Sequence, residues 1–154
     1  MSIAANASSA TTTRARIIQA SSRWVEMDSD QSVIGIIDDD ISMREALDGL
    51  ISSFEFATST YASALEFLKA APPPGLACLV VDVKMPGMSG LDLQSALIEA
   101  GRQLPIIFVT SFNDASVRTR ALAAGAQCVL GKPVDRDELM RQIDMALNGG
   151  PRAD

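Results

Sequence analysis

From Val33 onward, short unbroken apolar runs alternate with stretches in which apolar residues recur every three or four positions. The first pattern is that of strands buried on both faces, the second that of amphipathic helices. Val33–Ile37 predicts a strand that ends at three aspartates, and apolar residues at 43, 47, 50, 51 and 54 predict a helix over Ile41–Ser53. A weaker strand, Phe56–Thr60, precedes a helix over Ser63–Ala70, where Ser63 and Glu66 have the spacing of a capping box. Pro72-Pro73-Pro74-Gly75 breaks that helix. Ala77–Val83 is an apolar strand interrupted by Asp82 alone. Helix Leu91–Ala100 with Gly101 as its stop, strand Pro105–Thr110, and helix Asp114–Ala124 with Gly125 as its stop come next. Strand Gln127–Leu130 and helix Asp135–Leu147 complete the pattern.

Five such β-α units predict an α/β fold, a parallel sheet covered by helices on both faces. Right-handed crossovers bring the C-terminal ends of all the strands to one edge, where sheets of this kind bind ligands. That edge gathers Asp38, Asp39 and Asp40 after the first strand, Asp82 near the end of the third, Thr110 at the end of the fourth and Lys132 after the fifth. Carboxylates crowded at an apolar edge repel one another and are costly to bury without a cation. A divalent ion relieves this, and Mg²⁺ takes one or two carboxylates together with waters and phosphate oxygens. Lys132 offers positive charge to a transferring phosphoryl group, Thr110 a hydroxyl donor, and an aspartate is a competent nucleophile toward phosphorus. Taken singly, most of these residues have ordinary roles: Asp40 suits a helix cap, and Thr110 and Lys132 suit a strand end and a surface loop. Asp82 is different, because Leu79-Val80-Val81 precede it and Val83 follows.

The chain contains no histidine. Ser-His-Asp triads, Cys-His nucleophiles and His-bound zinc are thereby removed together. Cys78 and Cys128 lie inside strand-like runs and are expected to be reduced core thiols of a cytoplasmic protein. A net charge of −6 argues against a nucleic-acid surface, and no apolar run approaches the length of a membrane span. With 154 residues the chain can form one good core and not two. Residues 1–31, rich in Ser, Ala and Thr, read as a disordered leader. The pairs Ile17/Trp24 and Ile18/Val25 also permit a short helix there, its Arg content loosely suggests a transit peptide, and Met27 is an alternative start. The expected division is leader 1–31, folded domain 32–148 and tail 149–154, with no room for an output domain after the last helix.

Four blocks in order resemble the receiver (CheY-like) family of two-component signalling, and within it receivers of the FixJ type. They are Val33-Ile34-Gly35-Ile36-Ile37-Asp38-Asp39-Asp40, the run from Leu79 to Gly90 with Asp82 and Met85-Pro86-Gly87, Pro105 to Ser111, and Gly125-Ala126 followed by Gly131-Lys132-Pro133. The resemblance covers residues 33 to 148 and implies a doubly wound five-stranded parallel sheet, flavodoxin-like, in strand order 2-1-3-4-5. It implies that Asp82 is the phosphoacceptor and also a metal ligand. Asp39 would bind Mg²⁺ directly, Asp38 through water, and Lys84 through its backbone carbonyl. Thr110 and Lys132 would bind the phosphoryl group, with Lys132-Pro133 a cis peptide.

Two departures bear on the family's behaviour. Val129 stands where the family carries a Tyr or Phe that swings inward, so signalling is expected to rely on the Thr110 loop and the helix after it. In the family, the positions held here by Phe112 and Lys84 flank the path of the hydrolytic water, and the resemblance implies that the Phe112 ring slows loss of phosphate. The resemblance further implies a stand-alone cytoplasmic response regulator that is not an enzyme in its own right. Its partners would be a sensor histidine kinase or histidine phosphotransfer protein and an unknown downstream protein, with no nucleic acid and no membrane. A phosphorelay intermediary or phosphate sink would use the same site, and an interaction-only pseudo-receiver would keep the fold without the chemistry. A flavodoxin-like electron carrier is disfavoured because three aspartates occupy the phosphate-loop position. An Asp-nucleophile phosphatase is disfavoured because Lys84 occupies the place of its second acid.

Overall fold

Each apolar run becomes a strand in the computed structural model of the chain, which describes residues 31–111 and 114–149. The strands are β1 (Val33–Ile37), β2 (Ala57–Tyr61), β3 (Leu76–Asp82), β4 (Ile106–Thr110) and β5 (Cys128–Gly131). Helices α1 (Ile41–Ser52), α2 (Ala64–Lys69), α3 (Gly90–Glu99), α4 (Ala115–Ala123) and α5 (Arg136–Leu147) alternate with them. All pairings are parallel and the order is β2-β1-β3-β4-β5, the doubly wound arrangement that the sequence led us to expect.

Several boundaries shift by one residue, and strand register is the reason. Tyr61 pairs with Ile37, Asp82 with Val109 and Gly131 with Thr110, so β2 and β5 run one residue further than their apolar runs. Asp82 is the last residue of β3, and Val83 lies beyond it. Asp114 and Asp135, expected as first helical residues, are N-caps whose carboxylates accept from Ser116 N and Glu138 N. Asp40 caps α1 and Ser63 caps α2 in the same way. Ser89 and Asp92 form a full capping box at α3.

Alternation along the strands divides the core in two. On one face Ile37, Leu79, Val81, Ile106 and Phe108 pack with Phe67 of α2, Leu93 and Leu97 of α3 and Ala121 of α4. On the other, Ile34, Ile36, Val80, Ile107 and Val109 pack with Leu47 and Ile51 of α1 and Leu139 and Ile143 of α5. Full burial of such side chains contributes roughly 2 kcal/mol each, so the central strands are the most firmly held part of the fold. Cys78 and Cys128 sit on the α1/α5 side, buried and unbridged. Burial, reinforced at Cys78 by Cys128 and at Cys128 by Glu138, pushes both thiols up to about 12.

Among the described residues no helix is long and apolar enough to cross a membrane. The leader up to residue 30, Phe112 and the tail from residue 150 lie outside the described residues.

Candidate functional site

The C-terminal ends of β1, β3, β4 and β5 meet at one edge. Asp38 follows β1 directly, and its backbone N–H donates to Tyr61 O at 3.2 Å. Its carboxylate is fully buried, with Oδ1 accepting from the Asp40 backbone N–H at 2.9 Å. Asp82 ends β3 and is also buried. Asp39 is exposed at the mouth of the site. Each of the three carboxylates places an oxygen within 4.8 Å of the other two.

Lys132 arrives from beyond β5. Its backbone N–H donates to Thr110 O at 2.8 Å, and the Lys132-Pro133 peptide is cis. The ammonium stands midway between two acids, 3.4 Å from Asp38 Oδ2 and 3.4 Å from Asp82 Oδ1. Thr110 ends β4, buried, opposite Gly131. Lys84 lies two residues beyond Asp82 and its backbone N–H bonds the Asp82 carboxylate. The sequence-derived residues therefore converge, with two qualifications in place: Val129 is packed in the core of the α4 face, and Phe112 falls outside the described residues.

One contributor was not anticipated. Arg44, one turn into α1, donates from Nη1 to the Asp38 backbone carbonyl at 2.7 Å and so braces the loop that carries the acids. It is the single basic residue of α1, and that isolation next to an acidic loop is the signal that could have marked it.

Among the described residues three carboxylates cluster, two of them paired with the Lys132 ammonium, and all the donors are oxygens. That set fits a hard divalent cation, which would balance the remaining negative charge. Burial, and after it the Asp38 carboxylate, push the Asp82 acid above its ordinary range, while Lys132 and the Lys84 N–H act in the opposite direction. An acid whose pKa is higher in the folded chain stabilises the fold while protonated, and that contribution is lost as pH rises through the raised value. In metal-free buffer Asp82→Asn is therefore expected to melt a few degrees above the wild type at neutral pH. The advantage should disappear below the ordinary carboxylate range. Melting curves over that pH span test it, and a variant no more stable at neutral pH would show the pocket to be electrostatically balanced already.

A family profile described as the response regulator receiver domain matches residues 34–144. The chain belongs to the response-regulator receiver family. Response regulator protein TmoT of Ectopseudomonas mendocina is 39% identical over 126 residues, covering 82% of this receiver chain and 57% of that protein. Transcriptional regulatory protein FixJ of Bradyrhizobium diazoefficiens is 34% identical over 114 residues, covering 74% and 56%. The chain thus spans about half the length of the curated relatives it matches. Among solved structures, response regulator StyR superposes with a TM-score of 0.72 at 37% identity, covering 78% of this chain and 61% of that one. The FixJ-N structure superposes with a TM-score of 0.72 at 28% identity, covering 80% and 98%.

Proposed function

We propose that this receiver accepts a phosphoryl group onto Asp82 from a phosphohistidine on a separate protein, in a Mg²⁺-dependent reaction. The observation that carries this reading is the meeting of Asp38, Asp39, Asp82 and Lys132 at one sheet edge. A carboxylate oxygen of Asp82 attacks phosphorus while the phosphorus–nitrogen bond to the donor imidazole breaks. The imidazole leaves with the electron pair and is reprotonated from solvent, and Asp82 becomes an acyl phosphate. Lys132 lies within reach of the oxygens of a group on Asp82, and Thr110 supplies a hydroxyl donor at the end of β4. Asp38, Asp39, Asp82 and the Lys84 carbonyl would hold Mg²⁺, which when bound supplies the positive charge that lets an anionic phosphoryl group approach these acids. Asp38 is held in place by the Asp40 N–H and by Arg44, so little reorganisation is needed when the reaction occurs.

In this reading the chain is not a turnover enzyme. It accepts from a sensor kinase or phosphotransfer protein and reports to a further protein, without contacting nucleic acid. The acidic charge of −6 supports protein partners over a nucleic acid. Two buried thiols with raised pKa suit the cytoplasm. A phosphorelay intermediary or a phosphate sink would use the same four side chains. The pseudo-receiver reading is disfavoured, because a chain without the chemistry has no need to bury Asp38 and Asp82 beside a lysine.

The test is incubation with acetyl phosphate followed by intact mass and peptide mapping. We expect the gain of one phosphoryl group, located on the peptide containing Asp82, dependent on Mg²⁺ and released by hydroxylamine as an acyl phosphate is. No gain, or a gain on another residue, would overturn the proposal.

A further inference from the structure

The three acids of the site are not equally anchored. Asp82 is the last residue of β3 and pairs with Val109 of β4. Asp38 is tied at both its backbone and its carboxylate, to Tyr61 O and to the Asp40 N–H. Asp39 is exposed, and among the described residues it makes no hydrogen bond of its own. Its position is set by the peptide planes on either side.

The plane before Asp39 runs from the Asp38 carbonyl to the Asp39 N–H and is rigid. Arg44 Nη1, part-buried on α1, holds that carbonyl at 2.7 Å. The plane after Asp39 ends at the Asp40 N–H, which donates to Asp38 Oδ1. Asp40 is in turn fixed as the N-cap of α1, and its carbonyl accepts from the Arg44 backbone N–H at 2.9 Å. Arg44 thus grips the loop at both ends, its backbone on Asp40 and its side chain on Asp38. Among the described residues its guanidinium forms no ion pair with any of the three acids. It acts on the loop through a carbonyl and not by neutralising a carboxylate.

A loop fixed in this way discriminates between cations. Mg²⁺ demands nearly ideal octahedral geometry with oxygens at about 2.0–2.1 Å, whereas Ca²⁺ accepts irregular sets at about 2.3–2.6 Å. We infer that Arg44 is a positioning residue that sets the selectivity of the site for Mg²⁺ over Ca²⁺, by holding the peptide plane that carries Asp39. The inference rests on the Mg²⁺-dependent phosphoacceptor reading above.

Two other effects of Arg44 have different signatures. Its positive charge repels both divalent ions alike, so deleting the charge alone would tighten both, by about two-fold at physiological salt. A general loosening of the fold would weaken both alike. Loss of the brace falls on the ion with the stricter geometry, and outer-shell partners of this kind are worth about 10- to 100-fold in metal affinity.

The experiment is calorimetric titration of the full chain with Mg²⁺ alone and with Ca²⁺ alone, for the wild type, Arg44→Met and Arg44→Lys. Met keeps the apolar stem without the donor, and Lys keeps the charge and a single donor without the fork. We expect Arg44→Met to bind Mg²⁺ about ten-fold more weakly and Ca²⁺ less than about two-fold more weakly. Arg44→Lys should recover part of the lost selectivity. Equal weakening of the two ions in both variants, or unchanged or tighter Mg²⁺ binding in Arg44→Met, would overturn the role of Arg44 alone. A wild type with no affinity for Mg²⁺ would overturn the phosphoacceptor reading on which that role depends.

Discussion

Lys132→Ala is expected to slow phosphorylation by acetyl phosphate by about 10² to 10³, the usual cost of removing one preorganised group that stabilises developing charge. Asp82→Asn, by contrast, leaves no acceptor and should show no phosphoryl gain at all. The geometry explains why one lysine matters so much. Its ammonium is 3.4 Å from both Asp38 and Asp82, and it alone offsets their charge among the contacts described at the site. Its loss also tells on the fold. Removing one partner of a buried ion pair costs about 3–5 kcal/mol, but solvent reaches Lys132 and Asp82 can take up a proton, so roughly 2 kcal/mol is expected in metal-free buffer. Mg²⁺ should restore most of that stability without restoring the rate. Single-turnover phosphorylation and denaturant unfolding with and without Mg²⁺ separate the two effects. An unchanged rate in Lys132→Ala would show the ammonium to be a bystander.

Gly90→Ala should produce the largest stability loss of any methyl-sized change near the site. Gly90 opens α3, and its N–H donates to Val83 O at 2.9 Å, so the helix start is pressed against the end of β3. A Cβ there would lie 2.6 Å from the Asp82 carbonyl oxygen, 3.0 Å from the Phe108 ring and 3.1 Å from Val83 Cα. Two of those obstacles are backbone and cannot rotate away. Overpacking of this kind costs about 3 kcal/mol, and a melting temperature lower by roughly 10 °C is expected. Whatever strain the folded variant accommodates falls on the main chain of Asp82, so phosphorylation should slow as well. Gly49→Ala in α1 is the control, since a Cβ there meets nothing within 4 Å, and it should stabilise by about 0.5–1 kcal/mol. Equal melting temperatures for Gly90→Ala and the wild type would mean that α3 can shift freely away from β3.

The sheet was legible because apolar runs and helical spacing alternate from Val33 to Leu147, with the second strand alone weakly marked. The acid cluster was legible because that alternation sends Asp38, Asp82, Thr110 and Lys132 to a common edge before any contact is known. Strand ends were less so: Tyr61 and Gly131 belong to strands because of what they pair with, and pairing is not a property of one segment. Ser89 and Asp92 lay within a readable capping spacing, but the helix they open was expected to begin at Leu91. Arg118 was not legible in any pattern, and Arg44 was marked only by being the single basic residue of α1 beside the acids. Each reaches a backbone carbonyl on another segment, and a carbonyl carries no mark in the amino-acid code.

The two thiols on the α1/α5 side have a practical corollary. Both are shielded from solvent and remain protonated across the working pH range, so alkylating dyes, which react with thiolates, will pass them by. A cysteine introduced on the outer surface of α4 can then be labelled selectively in the otherwise native chain. Fluorescence from that single dye would follow the helix in real time as a signal arrives.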